Sequence, residues 1–429
     1  MSSQSTASRL ERLLSGVTEV GSPAAEPSHI EKGLHAHEET FGSISSTAGP
    51  ALFLQPWNPR LMKHIFSNPH NFRPESKIQV LKVAKEGTFW SPDVSDAEIN
   101  QVLDASIQST CPNHTLVAFF VYLEHNREAQ YGQQACISQE SLKKLVERIE
   151  MHDAAVQDLL GRPDYWSAFG RRKDTTGSKS ARYEFFCQHP RWLQKSRYDK
   201  LQHRAPCSVY LHYDKMMNTS YYVISAAWND SCVTELLEEM GIPDPNMPYT
   251  GASVEAAANP FLIHALVSGY AYYQSTDYLA DVRGRLFSEI AQVNDYSKES
   301  HAGLPEKRRG NDGRKKLENI TKNLHLVSQT CDTGIANADM SIKLCEEMLE
   351  AYTTFSREIM MPSESWSQVL DSMKWILKTW HCQKNWLVSY KARKDTAMNF
   401  VRAEIRNAGV RADLEGVQSR HSTGQFYQH

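Results

Sequence analysis

The feature that most constrains the fold is a heptad pattern of apolar residues in the segment 366–401. The apolar positions recur at alternating steps of three and four, and this spacing places them on one face of a long helix. They are Trp366, Leu370, Met373, Leu377, Trp380, Leu387, Met398 and Val401. An apolar face of this length needs a partner, so we predict that these eight residues form a helix interface, either in a stalk or in the core of a helical bundle.

Three positions of the same pattern hold lysine instead of an apolar residue: Lys384, Lys391 and Lys394. Long amines can lie along an apolar seam while their charged ends stay hydrated. The pattern leaves open whether these lysines face another helix of the same chain or another subunit.

Two more long helices are predicted before this one. The first opens near Asn259-Pro260, with Asn259 as the cap, and runs to about Asn294. The second begins after Gly313 and carries apolar positions as far as Tyr352, with one extra step of four that locally unwinds a supercoil.

The part of the chain before these helices has the pattern of an α/β domain. Short runs rich in Val, Tyr, Phe and Ile predict strands. They are Ile78 to Ala84, Leu116 to Leu123, Arg182 to Cys187, Ser208 to Tyr213 and Tyr221 to Ala227. The last two predict an antiparallel hairpin, and helical spacing after Ser95 and Ser138 predicts helices between the strands. The strand order stays open.

We therefore predict an α+β protein, in which an α/β N-terminal domain is followed by long antiparallel helices of coiled-coil-like character. Residues 1–50 form a disordered tail, residues 51–250 the α/β domain, residues 251–405 a stalk-like region of three helices, and residues 406–429 a second disordered tail. The helix is expected to fray past Val401, where the heptad ends.

Composition narrows the class of protein. The chain has 429 residues, of which 41% are hydrophobic, so it can bury a core. The chain has 47 basic and 50 acidic residues, so its net charge is too small to attract nucleic acid or anionic lipid. No signal sequence and no run of eighteen apolar residues is found. Eight scattered cysteines without a CxxC pair indicate buried thiols in a reducing compartment, so we expect a cytoplasmic protein.

The motifs of common enzyme classes are absent from the sequence. It contains no HExxH, GxSxG, Walker A or GxGxxG motif, so we predict no catalytic residue, no cofactor-binding residue and no enzyme. The basic segment 170–180 lacks the Walker spacing and is interpreted as a flexible loop. The six cations between Lys307 and Lys316 indicate a solvated loop, with a nuclear-import signal or a lipid contact as alternatives.

Two groups of carboxylates and one histidine group are the candidates for metal binding. Glu235, Glu238 and Glu239, and then Glu346, Glu347 and Glu350, are spaced so that each triad could share a hard divalent cation, although such triads are usually the outer face of a helix. A third group, in the N-terminal tail, lacks a further ligand to close a site: His35, His37, Glu38 and Glu39.

Several phrases of the sequence are similar to those of fungal CorA-like proteins, which belong to the family of CorA-type divalent-cation transporters. They are Asn259-Pro-Phe-Leu-Ile-His264, Gln383-Lys-Asn-Trp-Leu387 with Tyr390, Arg393-Lys-Asp-Thr-Ala-Met-Asn-Phe400 and, more loosely, Arg182-Tyr183-Glu184 with Tyr210 and Tyr213. The resemblance covers roughly residues 55–401 and implies the fold of the CorA cytoplasmic part.

In that family the last long helix continues into a membrane span, and a Gly-Met-Asn loop marks the pore. Here no span follows, and Ala397-Met398-Asn399 is not that signature because no apolar segment precedes it. The resemblance implies a soluble regulatory or assembly domain that does not transport by itself. Mg²⁺ is the one candidate cofactor, with unknown ligands. The candidate partners are a second copy or full-length CorA-like relatives, bound through the long helices, and a membrane would be reached only through such partners.

Two questions stay open at this stage. The chain is either a natural relative without a pore or the product of a shortened gene model. The alternative function is that of a soluble coiled-coil protein that binds other proteins and has no metal role.

Overall fold

The structure, a computed structural model, describes residues 59–108, 114–162, 168–174, 181–190, 192, 206–228, 230–242, 257–301, 310–359 and 363–424. The chain divides into two compact units, Met1–Ser67 and Asn68–His429. In the first unit the described part is helix α1, Pro59–Ser67. The predicted disordered tail of residues 1–50 lies outside the described residues.

The described part of the second unit contains a sheet of nine strands. They are β1 Phe72–Arg73, β2 Ile78–Ala84, β3 Gly87–Val94, β4 Thr115–His125, β5 Gln133–Ser138, β6 Phe169–Asp174, β7 Ala181–His189, β8 Cys207–Asp214 and β9 Thr219–Ala227. The order is β1-β5-β4-β9-β8-β7-β6, with β2 pairing with β4, and β3 with β2. The strands β4 and β9 are parallel and almost wholly buried, as expected for strands covered on both faces.

All five strands predicted from apolar runs are present, and β8 and β9 form the predicted antiparallel hairpin. Four strands were not predicted. Among them, β3 is largely exposed and contains Pro92, which suits a strand that pairs on one side only. The interpretation of segment 170–180 as a loop was wrong for its first half, because residues 170–174 belong to β6 and pair with β7.

Within the described residues four short helices accompany the sheet: α2 Asp96–Gln108, α3 Gln139–Arg148, α4 Asp153–Leu159 and α5 Ser231–Glu239. Ser138 caps α3 as predicted, since its hydroxyl accepts a hydrogen bond from the Ser141 amide. The apolar spacing after Ser138 had suggested one continuous helix. The chain instead turns at Glu150, which has a φ of 49°, and the His152 side chain caps α4.

The three predicted long helices are present: α6 Leu262–His301, α7 Gly310–Ile359 and α8 Ser363–Gly424. Two bounds differ from prediction at the α6–α7 connection, since α6 runs past Asn294 and α7 begins before Gly313. The last helix continues past Val401 to Gly424 and is roughly 90 Å long at 1.5 Å per residue. The heptad ends at Val401, but the residues after it, such as Ala403 and Glu404, still favour a helix. The apolar face therefore stops before the helix does.

The sheet and the long helices share one core. On β7 the odd-numbered residues face the helices: Tyr183 lies 4.5 Å from Phe355 and Phe185 lies 5.3 Å from Phe261 between ring centroids. The even-numbered residues face α4, where Gln188 donates a hydrogen bond to the Asp158 carbonyl. The sheet is thus a middle layer, with α4 on one face and the long helices on the other.

A close crossing of the three long helices generates the first prediction. A Cβ atom at Gly334 on α7 would lie 2.8 Å from the Tyr278 ring and 3.0 Å from Leu387. The Tyr278 ring is fixed, because its hydroxyl donates to the Thr330 carbonyl at 2.5 Å. We expect Gly334→Ala to lower the free energy of unfolding by about 1–2 kcal/mol, since overpacking outweighs the gain in helix propensity.

Gly284 on α6 is the matched control, because a Cβ atom there meets nothing within 4 Å. We expect Gly284→Ala to raise the free energy of unfolding by about 0.5–1 kcal/mol. Urea unfolding of both variants measures the difference. Equal shifts of the two midpoints would contradict the close crossing at Gly334.

A second prediction concerns the Asp96 carboxylate, which accepts hydrogen bonds from the hydroxyls of Ser76, Ser138 and Ser141. Burial opposes its charge, but these hydrogen bonds outweigh burial and lower its pKa below 3.8. The stabilisation is therefore present above pH 3.8 and is lost as the pH falls through the lower pKa of the folded state. We expect Asp96→Asn to lower the free energy of unfolding by roughly 1 kcal/mol at pH 7. The effect is no larger because the carboxylate is partly exposed to solvent.

Urea unfolding of Asp96→Asn and of the native chain between pH 7 and pH 3 tests this prediction. The difference should narrow below about pH 4, where the carboxylate becomes protonated in the unfolded chain, and its charge-dependent part should vanish below the lower pKa of the folded state. Asp93→Asn, at an exposed carboxylate on β3, should leave the pH dependence unchanged. A difference that stays constant over the whole range would show that the charge of Asp96 contributes nothing.

Candidate interaction surface on the long helices

The eight predicted interface residues of α8 pack against other parts of the same chain. Six are buried in the core that α8 shares with α6, α7 and the sheet, while Leu370 and Leu377 are partly buried against it. The buried six are Trp366, Met373, Trp380, Leu387, Met398 and Val401. The apolar seam therefore packs against helices of the same chain.

Trp380 is the central residue of this seam. Its ring stacks on Trp192, with centroids 5.2 Å apart and planes inclined by 11°, and it meets the Tyr272 ring edge-on at 5.6 Å. Trp192 follows β7, so this stack connects α8 to the sheet. Aromatic pairs of this kind contribute about 0.5–1.5 kcal/mol each beyond the burial of their area.

The lysines of the seam pair mainly with α7. The Nζ atoms of Lys384 and Lys391 lie 2.6 Å from Asp339 and Asp332, respectively, and the hydrogen bond to Asp332 raises the pKa of Lys391. Lys394 is buried and contacts its neighbour Asp395. Because the two interhelical pairs are partly exposed, they contribute more to the register of α8 on α7 than to stability.

A different face of α8 carries the exposed aromatic residues. Trp386 is 50% exposed and Phe287 on α6 is 41% exposed, and both line a cleft of about 480 Å³ between the two helices. Thr276, Leu279, Ala280, Arg283, Tyr390 and Arg393 complete its lining. We call this cleft and its lining residues the α6/α8 groove.

The aromatic and cationic groups of the α6/α8 groove are ordered by mutual contacts. The guanidinium carbons of Arg283 and Arg393 lie 5.9 and 5.7 Å from the centroid of the Phe287 ring. The Trp386 and Tyr390 rings are 5.8 Å apart. Within the described residues no ion pair involves either guanidinium group. The groove thus offers a surface of aromatic rings with an unneutralised positive charge.

Sequence reasoning missed the α6/α8 groove, although a signal for it was present. Trp375 and Trp386 do not belong to the heptad of the seam, yet they are eleven positions apart and lie on nearly the same side of a helix. Trp375 is also exposed, and its ring lies 5.1 Å from Tyr272 of α6. Large aromatic residues outside the register of a buried seam indicate a second face of the helix. Trp386, Tyr390 and Arg393 also belong to the phrases that carry the CorA-like resemblance.

The acidic triads do not form cation sites in the described part of the chain. Burial raises the pKa of Glu239, whereas Glu346, Glu347 and Glu350 are exposed along α7. Among the described residues, the ligand atoms of neither triad converge on a point. A larger cleft of about 720 Å³ beside α2 and α3 contains Asp96, whose carboxylate already occupies the N-terminus of α3.

The cysteines are as predicted with one exception. Cys136, Cys187, Cys207, Cys232, Cys331 and Cys345 are buried, and Cys382 is exposed on α8; none of these seven forms a disulfide. Cys111 lies outside the described residues, as do the histidines of the N-terminal tail. None of the described helices combines the length and the apolar character needed to cross a membrane.

Comparison with known proteins gives structural neighbours only. No protein-family model matches the sequence, and no curated protein matches it. The cytoplasmic domain of ZntB from Vibrio parahaemolyticus RIMD 2210633 is 7% identical with a TM-score of 0.42, over 77% of this chain and 99% of that chain. The soluble domain of CorA from Methanocaldococcus jannaschii is 7% identical with a TM-score of 0.38, over 76% of this chain and 96% of that chain.

Proposed function

We propose that this chain is a regulatory and assembly domain of the CorA-like type, which acts by binding and not by catalysis, and whose subunits join through the α6/α8 groove. The observation that carries the proposal is the pair of exposed, ordered aromatic side chains, Phe287 and Trp386. Leaving such rings in water is unfavourable, and the residue types of the groove, Trp, Tyr, Phe and Arg, are those enriched at protein interfaces.

The charge of the groove favours an acidic partner. Arg283 and Arg393 place two cations over one ring, and a carboxylate that reaches them would gain charge-assisted hydrogen bonds in a partly desolvated site. This chain presents such a surface itself. Glu346, Glu347 and Glu350 are exposed within one turn of α7.

The occupant that we propose for the groove is therefore the acidic turn of α7 from a second copy of the chain. The two surfaces lie on different helices, so the contact joins unlike faces. Such a contact either occurs twice, reciprocally, across a two-fold axis, or joins subunits head to tail into a ring or an open chain.

This arrangement gives Mg²⁺ a physical route to regulation. The exposed carboxylates of α7 do not converge into a cation site within the described ranges, but Mg²⁺ that associates weakly with their negative charge would compete with the guanidinium groups of the neighbouring subunit. Millimolar Mg²⁺ would then weaken assembly beyond the effect of ionic strength. The alternative is that the chain is a coiled-coil protein that binds other proteins and has no metal role. In that case Mg²⁺ affects assembly only through ionic strength.

Sedimentation equilibrium of the full chain tests the proposed contact. We expect Arg393→Glu to raise the dissociation constant at least tenfold, or about 1.4 kcal/mol, because it replaces an attraction by a repulsion. Pairing Arg393→Glu with Glu347→Arg should restore part of the affinity. Val388→Ala, at an exposed position on another side of α8, is the control and should leave the affinity unchanged.

The outcomes separate the hypotheses. A native chain that stays monomeric at all concentrations excludes self-assembly through the groove. If Arg393→Glu weakens assembly but Mg²⁺ acts no more than an equal ionic strength of NaCl, the assembly role stands and the Mg²⁺ role is excluded.

A further inference from the structure

A buried group of three metal-ligating side chains lies apart from the α6/α8 groove. Cys187 and His189 are two residues apart on β7 and face the long helices, and His264 is in the first turn of α6. All three are at most 1% exposed. One ligand atom from each lies within 4.8 Å of the other two.

The distances in this cluster fit a metal ion. The Cys187 Sγ atom lies 3.4 Å from His189 Nε2 and 3.6 Å from His264 Nδ1. A tetrahedral zinc ion with bonds of about 2.3 Å to sulfur and about 2.0–2.1 Å to nitrogen would hold sulfur and nitrogen roughly 3.5 Å apart. The two measured separations therefore equal those of ligands around one shared ion.

The orientation of His189 is also that of a ligand. Its Nδ1 atom lies 3.2 Å from the Ser268 hydroxyl, one turn after His264 on α6. In the tautomer that donates Nδ1–H to Ser268, the Nε2 lone pair points toward Cys187. A hydrogen bond from the second ring nitrogen to a neighbouring group is the usual support of a metal-binding histidine.

Without a metal ion the hydrogen bonds between the three ligand side chains are few and weak, although the His264 ring also interacts with the Phe185 backbone. One S–H group can donate to one imidazole nitrogen, and sulfur is a weak acceptor for a hydrogen bond from the other. A metal ion that displaces the thiol proton satisfies all three ligand atoms at once.

Cys207 is the nearest candidate for a fourth ligand. It lies on β8 opposite His189 in the antiparallel register, so its side chain is on the same face of the sheet, and it is fully buried. Its Sγ atom does not belong to the group of three whose ligand atoms all lie within 4.8 Å of one another, so it would have to move toward a bound ion.

We propose that Cys187, His189 and His264 bind one Zn²⁺ ion that fixes the start of α6 to the sheet, and that Cys207 moves in as the fourth ligand when the ion binds. Two thiolates and two imidazoles are a ligand set that zinc prefers, and a fully buried set leaves no open position for a substrate. The site is therefore structural, and the ion enters during folding. This proposal is independent of assembly through the groove.

The first test is the metal content of the full chain, purified without a chelating tag from cells grown with zinc. We expect one zinc ion per chain by elemental analysis. A chain refolded with Co²⁺ should show thiolate-to-cobalt charge-transfer absorption and the strong visible bands of a tetrahedral ion, both of which disappear when Zn²⁺ is added.

Matched variants assign the ligands. Cys187→Ser should weaken Co²⁺ binding by more than about 100-fold and reduce the charge-transfer band, because removal of an outer-shell partner alone costs about 10–100-fold. Cys331→Ser, at a buried cysteine of α7 outside the cluster, should bind Co²⁺ like the native chain. For the histidines, His264→Asn is compared with His114→Asn, which alters another buried histidine.

Measurements on the native chain decide the question if a core variant fails to fold. Zinc should raise the thermal midpoint above that of chain refolded with EDTA, and it should protect Cys187 and Cys207 from alkylation during partial unfolding. A folded native chain that contains no zinc and binds no Co²⁺, or that binds Co²⁺ without a thiolate band, overturns the proposal. Groove variants such as Arg393→Glu should bind the metal unchanged, so the failure of one proposal is distinguishable from the failure of the other.

Discussion

One phenol group holds the three long helices together at the end that meets the sheet. The Tyr352 hydroxyl accepts a hydrogen bond from the Asn259 side chain, just before α6, and donates one to the Trp366 carbonyl at the start of α8. Tyr352 itself is near the end of α7, and its ring packs on Trp366 and Phe261. All of these residues are buried, so no water is available to replace either bond. This junction fixes the relative register of the three helices at the end that meets the sheet.

The junction also explains why the long helices have two different kinds of surface. The heptad face of α8 is used within the chain, where Trp380 stacks on Trp192 and the lysines reach Asp332 and Asp339 of α7. With α7 on that face, the groove between α6 and α8 stays open to solvent, where Phe287 is 41% exposed and Trp386 is 50% exposed. An internal seam and an external surface thus occur on one helix because their residues follow different registers.

The sequence predicts those strands and helices whose pattern of apolar residues matches the faces that they bury in the fold. The run that became β4 is continuously apolar, and the run that became β9 is interrupted only by Ser225, because both strands are covered on both faces. The heptad of α8 is recognisable because one face of the helix is buried along its length. The missed elements lack such a pattern: β3 is mostly exposed, and β6 begins Phe-Gly-Arg-Arg and is stabilised by pairing with β7. The break between α3 and α4 was hidden because the apolar spacing continues across Glu150. The seam residues were identified as an interface, but sequence alone could not show that their partners belong to the same chain.

The cluster of Cys187, His189 and His264 could not be found from spacing, since its members come from a strand and a helix far apart in the chain. Its position decides what a bound metal ion could do. His264 lies at the start of α6 and Phe287 roughly 35 Å further along the same helix, at about 1.5 Å per residue. A ligand shifts an equilibrium only if it binds two states with different affinity, and a continuous helix alone supplies no second state. An ion in the cluster would bind the folded chain more tightly than the unfolded chain, because the sheet and α6 bring its ligands together only when the chain is folded. A metal in the core would therefore act on the stability of the fold, whereas any effect of a divalent cation on assembly has to act at the exposed carboxylates of α7.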